Sequence, residues 1–197
     1  MPDFIPVARP QVGDDERAAV SRVLASGNLA QGPEVDALEQ EFSSLAVDGC
    51  QCIAVNSGTS ALHLAMLAAG IGPGDEVLVP SFTFAATANS VALTGAIPVF
   101  VDIDPHTFCM SVGSARNSVN ERTKAVVPVH LYGHPADLTG FLDLCEEFGL
   151  LLIEDAAQAH LASLDGRPVG TWGSAGSFSF YPTKNMTSGE GGMVSTG

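Results

Sequence analysis

Two periodicities divide the chain. From residue 13 to 47 apolar residues recur at helical spacing. GDDERAAVSRVLAS (13–26) sets Ala19, Val20, Val23 and Leu24 behind an acidic first turn, and a second helix opens at Pro33 and runs to about Val47. Ahead of them, prolines at 2, 6 and 10 predict an extended arm over 1–12. Beyond residue 50 short apolar runs alternate with helical stretches. Strands are predicted for QCIAV (51–55), EVLVP (76–80), AIPVFVDID (96–104), KAVVPVH (124–130), LLLIED (150–155), SAGSFSF (174–180) and GMVST (192–196). Helices are predicted over 58–70, 85–93 and 136–148. Nearly continuous apolar strands separated by helices imply an α/β fold with a mostly parallel sheet flanked by helices on both faces. Residues 13–197 read as one domain, and the closing GGMVSTG reads as a strand in progress, so a fragment of a longer protein is expected.

Composition narrows the classes. Apolar residues are 46% and charged residues 15%, which fits a buried core, and the net charge of −14 comes without any basic stretch. Nucleic acid is therefore not an expected partner. Cysteines 50, 52, 109 and 145 fit no zinc or CxxC spacing and read as reduced thiols. MPDFIPVARP has no signal-peptide pattern, and no apolar run approaches the roughly 20 residues that cross a bilayer. A cytoplasmic protein without a membrane partner is expected.

Ligands of open α/β sheets bind at the carboxyl ends of the strands, and three stretches fall there. NSGTSALH (56–63) ends a strand and starts a helix with small residues and hydroxyls, an arrangement suited to a phosphate; it also reads as an ordinary capped turn. IEDAAQAH (153–160) puts Asp155 after an apolar strand, where an ionised carboxylate needs a cation such as a protonated ring nitrogen, with Gln158 three residues on. Asp155 could equally cap the next helix. FSFYPTKNMTSGEGG (178–192) carries Lys184, one of only two lysines with Lys124. A desolvated lysine can attack a carbonyl. A phosphate cradle, a carboxylate for a ring nitrogen and an amine for an aldehyde together match pyridoxal 5'-phosphate (PLP).

The ordered set NSGTSALHLA, PSFTFAATANSV, FVDID, VPVHLYGHPAD, IEDAAQAH and FSFYPTKNMTSGEGGMV resembles the DegT/DnrJ/StrS family of PLP-dependent sugar aminotransferases, of fold type I. The resemblance implies that Lys184 forms the Schiff base and shuttles the proton, and that Asp155 holds the pyridine nitrogen protonated. It further implies that Gln158 sits beside the ring hydroxyl and that Phe84 stacks on the ring. Ser179, Thr59 and Ser60 would bind the phosphate, and Gly58 would allow close backbone approach. The implied reaction transfers an amino group from glutamate or glutamine to a keto-sugar nucleotide, in a homodimer. Members with His for the lysine are sugar dehydratases, so Lys184 favours transamination. A PLP-dependent lyase and a catalytically silent PLP-binding fragment are the alternatives, the latter because the family's C-terminal small domain is lacking. Leu161 stands where the family usually has Gly.

Other signals point elsewhere. His130 and His134 are spaced like a helical metal pair, but Gly133 and Pro135 argue against a helix, and no metal is expected. His63 reads as a core or interface histidine. Asp102 and Asp104 read as turn formers.

Overall fold

The computed structural model describes residues 5–197. Of the expected arm, residues 1–4 lie outside the described residues, and 5–12 form no helix or strand. Helix α1 (Asp14–Ser26) begins where the Glu16 carboxylate accepts the Gly13 N–H at 2.6 Å, and it ends at Gly27 with φ 75°. Helix α2 (Pro33–Ala46) follows, with proline in its first turn.

Next come β1 (Gln51–Val55), α3 (Gly58–Ala68), β2 (Glu76–Pro80), α4 (Ala86–Leu93), β3 (Ile97–Val101), α5 (Val112–Ser118), β4 (Thr123–Val126), α6 (Leu138–Phe148) and β5 (Leu151–Asp155). A two-residue hairpin, β6 (Ser163–Leu164) and β7 (Arg167–Pro168), precedes β8 (Ala175–Ser179) and β9 (Gly192–Thr196). Strands β1 to β5, β8 and β9 form one sheet in the order β1-β9-β8-β5-β4-β2-β3. Neighbours from β3 through β8 pair parallel, while β9 runs antiparallel to both β8 and β1. All strands but β9 therefore deliver their carboxyl ends to one edge. β9 starts at that edge, so the segment joining β8 to β9 turns back there without crossing the sheet.

Side chains alternate between two cores. Leu78, Val126, Leu152 and Met193 point to the face packed by Phe42 of α2 and by Leu138, Phe141 and Leu144 of α6. Val77, Val79, Ala125, Ile153 and Val194 point to the face packed by Leu62 and Met66 of α3 and Val91 of α4. Burial of Leu138, Phe141 and Leu144, all 0% exposed, contributes about 1.5–3 kcal/mol apiece.

The predicted elements appear, several shortened. β3 ends at Val101 because Asp104 starts a turn, its Oδ1 accepting the N–H groups of His106 and Thr107. β4 stops at Val126, two residues before Pro128, which has no N–H to extend the ladder. α6 starts at Leu138, where the Asp137 side chain caps it by accepting the Gly140 N–H. Helix α5 and the β6–β7 hairpin were not predicted. Cysteines 50, 52, 109 and 145 are all free thiols.

Candidate active site

At the carboxyl edge lies a cavity of about 460 Å³. Gly58, Thr59, Phe84, Asp155, Gln158, Ser179 and Lys184, all singled out in the sequence, line it, together with residues such as Thr83 and Tyr181. Ser60 does not. It lines an adjoining hollow with Asn56 and His63, and its N–H donates to Ser57 Oγ at 3.1 Å.

One wall is the start of α3. Ser57 caps the helix, leaving the N–H groups of Gly58 and Thr59 without an intrahelical acceptor. These groups and the helix dipole favour an anion. Ser179 closes the wall from the end of β8. A Cβ on Gly58 would sit 2.7 Å from Ser179 Cβ, so glycine here lets the helix start meet the strand end. The same reasoning covers Gly192, whose Cβ would lie 2.5 Å from the Ser57 carbonyl.

The opposite wall carries Asp155, only 5% exposed. Its Oδ2 accepts from Thr87 Oγ1 at 2.8 Å and its Oδ1 from the Ala157 N–H at 3.1 Å. No ion pair reaches it among the described residues. Burial pushes its carboxyl above the ordinary aspartate range, against the pull of those two hydrogen bonds. Gln158 turns its Oε1 to the Tyr132 N–H at 2.8 Å, which fixes the amide beside the cavity and holds Tyr132 at a left-handed φ of 53°. Phe84, 72% exposed, stands at the rim with its ring uncovered.

Lys184 belongs to the return between β8 and β9. That return is closed by Phe180 N–H to the Gly191 carbonyl and Ser188 N–H to the Phe180 carbonyl. The lysine is half-buried, and burial lowers the basicity of its amine, partly offset by the Asp155 carboxylate. An amine made less basic is a better nucleophile and proton carrier near neutral pH.

Sequence reasoning passed over three residues. Glu154, 0% exposed, lies on the other face of β5, where it accepts N–H groups from Gly170, Trp172 and Gly173 at 2.7 to 3.0 Å. His130 stands 3.1 Å from its Oε2. The Ala136 N–H donates to His130 Nδ1, so the ring proton sits on Nε2 and points to Glu154. His130 and His134 flank a single 3₁₀ turn (Leu131–Gly133), and His130 is committed to the core. Thr87 and Thr83 are the other two; an acid within an apolar strand signals Glu154, but no local pattern signals the threonines.

His160 is buried against Phe42, Phe178 and Phe180, with no well-formed hydrogen bond to either ring nitrogen among the described residues, and burial lowers its pKa against the opposing pull of Asn185 and the Ser179 backbone. Leu161 beside it takes φ 63°, a backbone shape suited to glycine.

An open, mostly parallel sheet with a cavity at its carboxyl edge is the arrangement of ligand-binding α/β folds. Residues 10–197 match the DegT/DnrJ/EryC1/StrS aminotransferase family, and the chain belongs to that family. It is 45% identical over 193 residues to the spore coat polysaccharide biosynthesis protein SpsC of Bacillus subtilis (strain 168), covering 98% of this chain and 49% of SpsC. The aminotransferase from Psychrobacter cryohalolentis superimposes with TM-score 0.93 at 43% identity, over 98% of this chain and 49% of that one. Spr1654 from Streptococcus pneumoniae in its PLP form gives TM-score 0.91 at 31% identity, over 98% and 53%. The fold is that of the large domain of fold type I PLP-dependent transferases. The chain spans about half the length of the relatives it matches. No helix among the described residues is long and apolar enough to cross a membrane.

Proposed function

We propose that the cavity binds pyridoxal 5'-phosphate and that the protein to which this domain belongs transfers an amino group from glutamate or glutamine to a keto-sugar nucleotide. The observation that carries this reading is the meeting, in one cavity, of a half-buried lysine, a buried carboxylate without an ion pair, and a helix start with free N–H groups. The fit is chemical. Asp155 sits buried with no cation of its own, as a partner for a pyridinium nitrogen should.

When bound, the cofactor would supply an aldehyde to take up the amino group and a ring to hold the electron pair released from the donor carbon. The chain's residues do the rest. The Gly58 and Thr59 N–H groups and the Ser179 hydroxyl hold the phosphate. Asp155 would accept the hydrogen bond of a protonated ring nitrogen and favour its charged form. Phe84 would cover one ring face, and Gln158 would lie beside the ring hydroxyl. Lys184 Nζ, kept less basic by its surroundings, would be the amine that meets the aldehyde and the group that carries a proton within the cavity. Ser60 supports the cradle through its bonds to Ser57.

The sugar class is supported by the name of SpsC, a polysaccharide biosynthesis protein. A homodimer acting in the cytoplasm goes with the reading, as the family resemblance implies. The test is an absorption spectrum of the 197-residue chain with PLP, before and after glutamate, beside Lys184→Ala. A lysine-dependent band that glutamate shifts is the expected result. A folded chain without any such band would overturn the assignment of the cavity.

A further inference from the structure

Three hydroxyl contacts link the cavity wall to the carboxylate beneath it. Thr83, half-buried, lines the cavity, and its Oγ1 lies 2.9 Å from Thr87 Oγ1. Thr87, 0% exposed, lies 2.8 Å from Asp155 Oδ2 and 3.3 Å from the Phe84 carbonyl. A hydroxyl has one proton to give. The nearer, anionic acceptor takes it, since hydrogen bonds to a charged oxygen are shorter and about twice as strong. Thr87 therefore donates to Asp155, and Thr83 donates to the lone pair Thr87 keeps. With Asp155 ionised, the direction runs from Thr83 to Thr87 to Asp155.

We propose that this two-threonine relay is a positioning device that holds Asp155 ionised and fixes the rotation of its carboxylate. Three observations carry it. Thr87 is wholly buried, 68 positions away in sequence from the carboxylate it serves, so the contact comes from packing α4 on the end of β5. The carboxylate's other oxygen is held only by the Ala157 N–H, so Thr87 is its one side-chain donor among the described residues. The relay starts in the turn that carries Phe84, so the ring-covering residue and the carboxylate share one support. The other charged or titratable groups facing Asp155 are Lys184 from the β8–β9 return and His130, whose ring proton is directed at Glu154. Neither is within hydrogen-bonding reach of Asp155, which leaves the relay and the Ala157 N–H as its local donors.

This inference rests on Asp155 facing a cationic ring for its purpose, but not for its test. The chain, labelled at its aspartate carboxyl carbons, is titrated by NMR without cofactor, with the Asp155 signal assigned by its loss in Asp155→Asn. Thr87→Val should shift the Asp155 midpoint upward, because the ionised form loses its donor. Thr87→Ser should keep the wild-type midpoint, and Thr83→Val should give a smaller upward shift. An unchanged midpoint in Thr87→Val, or equal shifts in the serine and valine variants, would overturn the relay. Should Thr87→Val not fold, Thr83→Val decides alone, since its half-exposed site tolerates the change and an unmoved midpoint sinks the proposal. PLP affinity read by fluorescence titration then falls about tenfold in Thr87→Val. A shifted midpoint with unchanged affinity would leave the relay in place and count against Asp155 as the partner of the ring nitrogen.

Discussion

Glu154 and Asp155 are adjacent acids on one strand, and their surroundings could hardly differ more. Glu154 faces the α2 and α6 core and is saturated: three backbone N–H groups and the His130 ring point at it. Asp155 faces the α3 and α4 side with two donors, and one side of it opens on a cavity. A buried carboxylate with a full set of donors is part of the architecture. One with fewer donors, facing a cavity, is a candidate partner for a bound cation.

The comparison can be broken from either side. The largest effect is expected from Glu154→Ala, which leaves one buried and two part-buried N–H groups and the buried His130 ring without their acceptor; urea unfolding should show a loss of about 3–5 kcal/mol. Stability within about 1 kcal/mol of wild type would mean that water takes the place of the carboxylate. Asp155→Asn keeps the shape and an oxygen for Thr87, so the fold should survive. PLP affinity should drop about a hundredfold, roughly 2.8 kcal/mol, measured by fluorescence titration. An unchanged affinity would make Asp155 as structural as its neighbour.

The two acids also differ in how pH acts. The folded-state pKa of Asp155 is raised by burial, so the folded chain binds more protons than the unfolded one between the ordinary aspartate value and the raised value. Stability of the cofactor-free chain should therefore fall as pH rises through that window and level off above it. Unfolding of wild type and Asp155→Asn across pH should show the asparagine variant gaining on wild type over that window. A constant difference between the two would rule out a raised pKa at Asp155. The smallest effect concerns the loop just after this strand. Leu161 sits at φ 63° and is 71% exposed, so Leu161→Gly should relieve strain and raise stability by about 1 kcal/mol. A lower melting temperature would show that the leucine side chain holds the turn by packing.

Most of the cavity lining could be read in the sequence because its residues lie at or shortly after a strand end, where the apolar run stops and the chemistry begins. NSGTS, IEDAAQ and the Lys184 stretch each announce a strand end locally, and the topology needs only to bring those ends to one edge. What escaped was long-range. Thr87 reads as one more small residue at a helix start in FTFAATAN, because its partner is on a different strand. Glu154 was masked by attention to Asp155, although an acid at that place in LLLIED is the rarer event. His130 stood out only for its spacing from His134, which Gly133 and Pro135 discount as a metal pair, while the fold places it 3.1 Å from Glu154. Helix α5 (VGSARNS) is short and polar, with only Ala115 buried, so it has no apolar stripe to detect. The reversal of β9 leaves no mark, because alternation of side chains is the same in either direction.

That reversal has an entropic side. A crossover between parallel strands needs a dozen or more residues and usually a helix to span the sheet. Here the segment 180–191 joins two strands paired to each other at Ser179 and Gly192, so its ends are already about one strand spacing, roughly 4.8 Å, apart. Most of the cost of closing the loop is met by the sheet, and doubling its length would add only about 0.6 kcal/mol. The chain can thus vary this loop at small thermodynamic cost while the sheet stays intact. The constraint on its length comes from Lys184, whose reach to the cavity is set by where along the loop it stands.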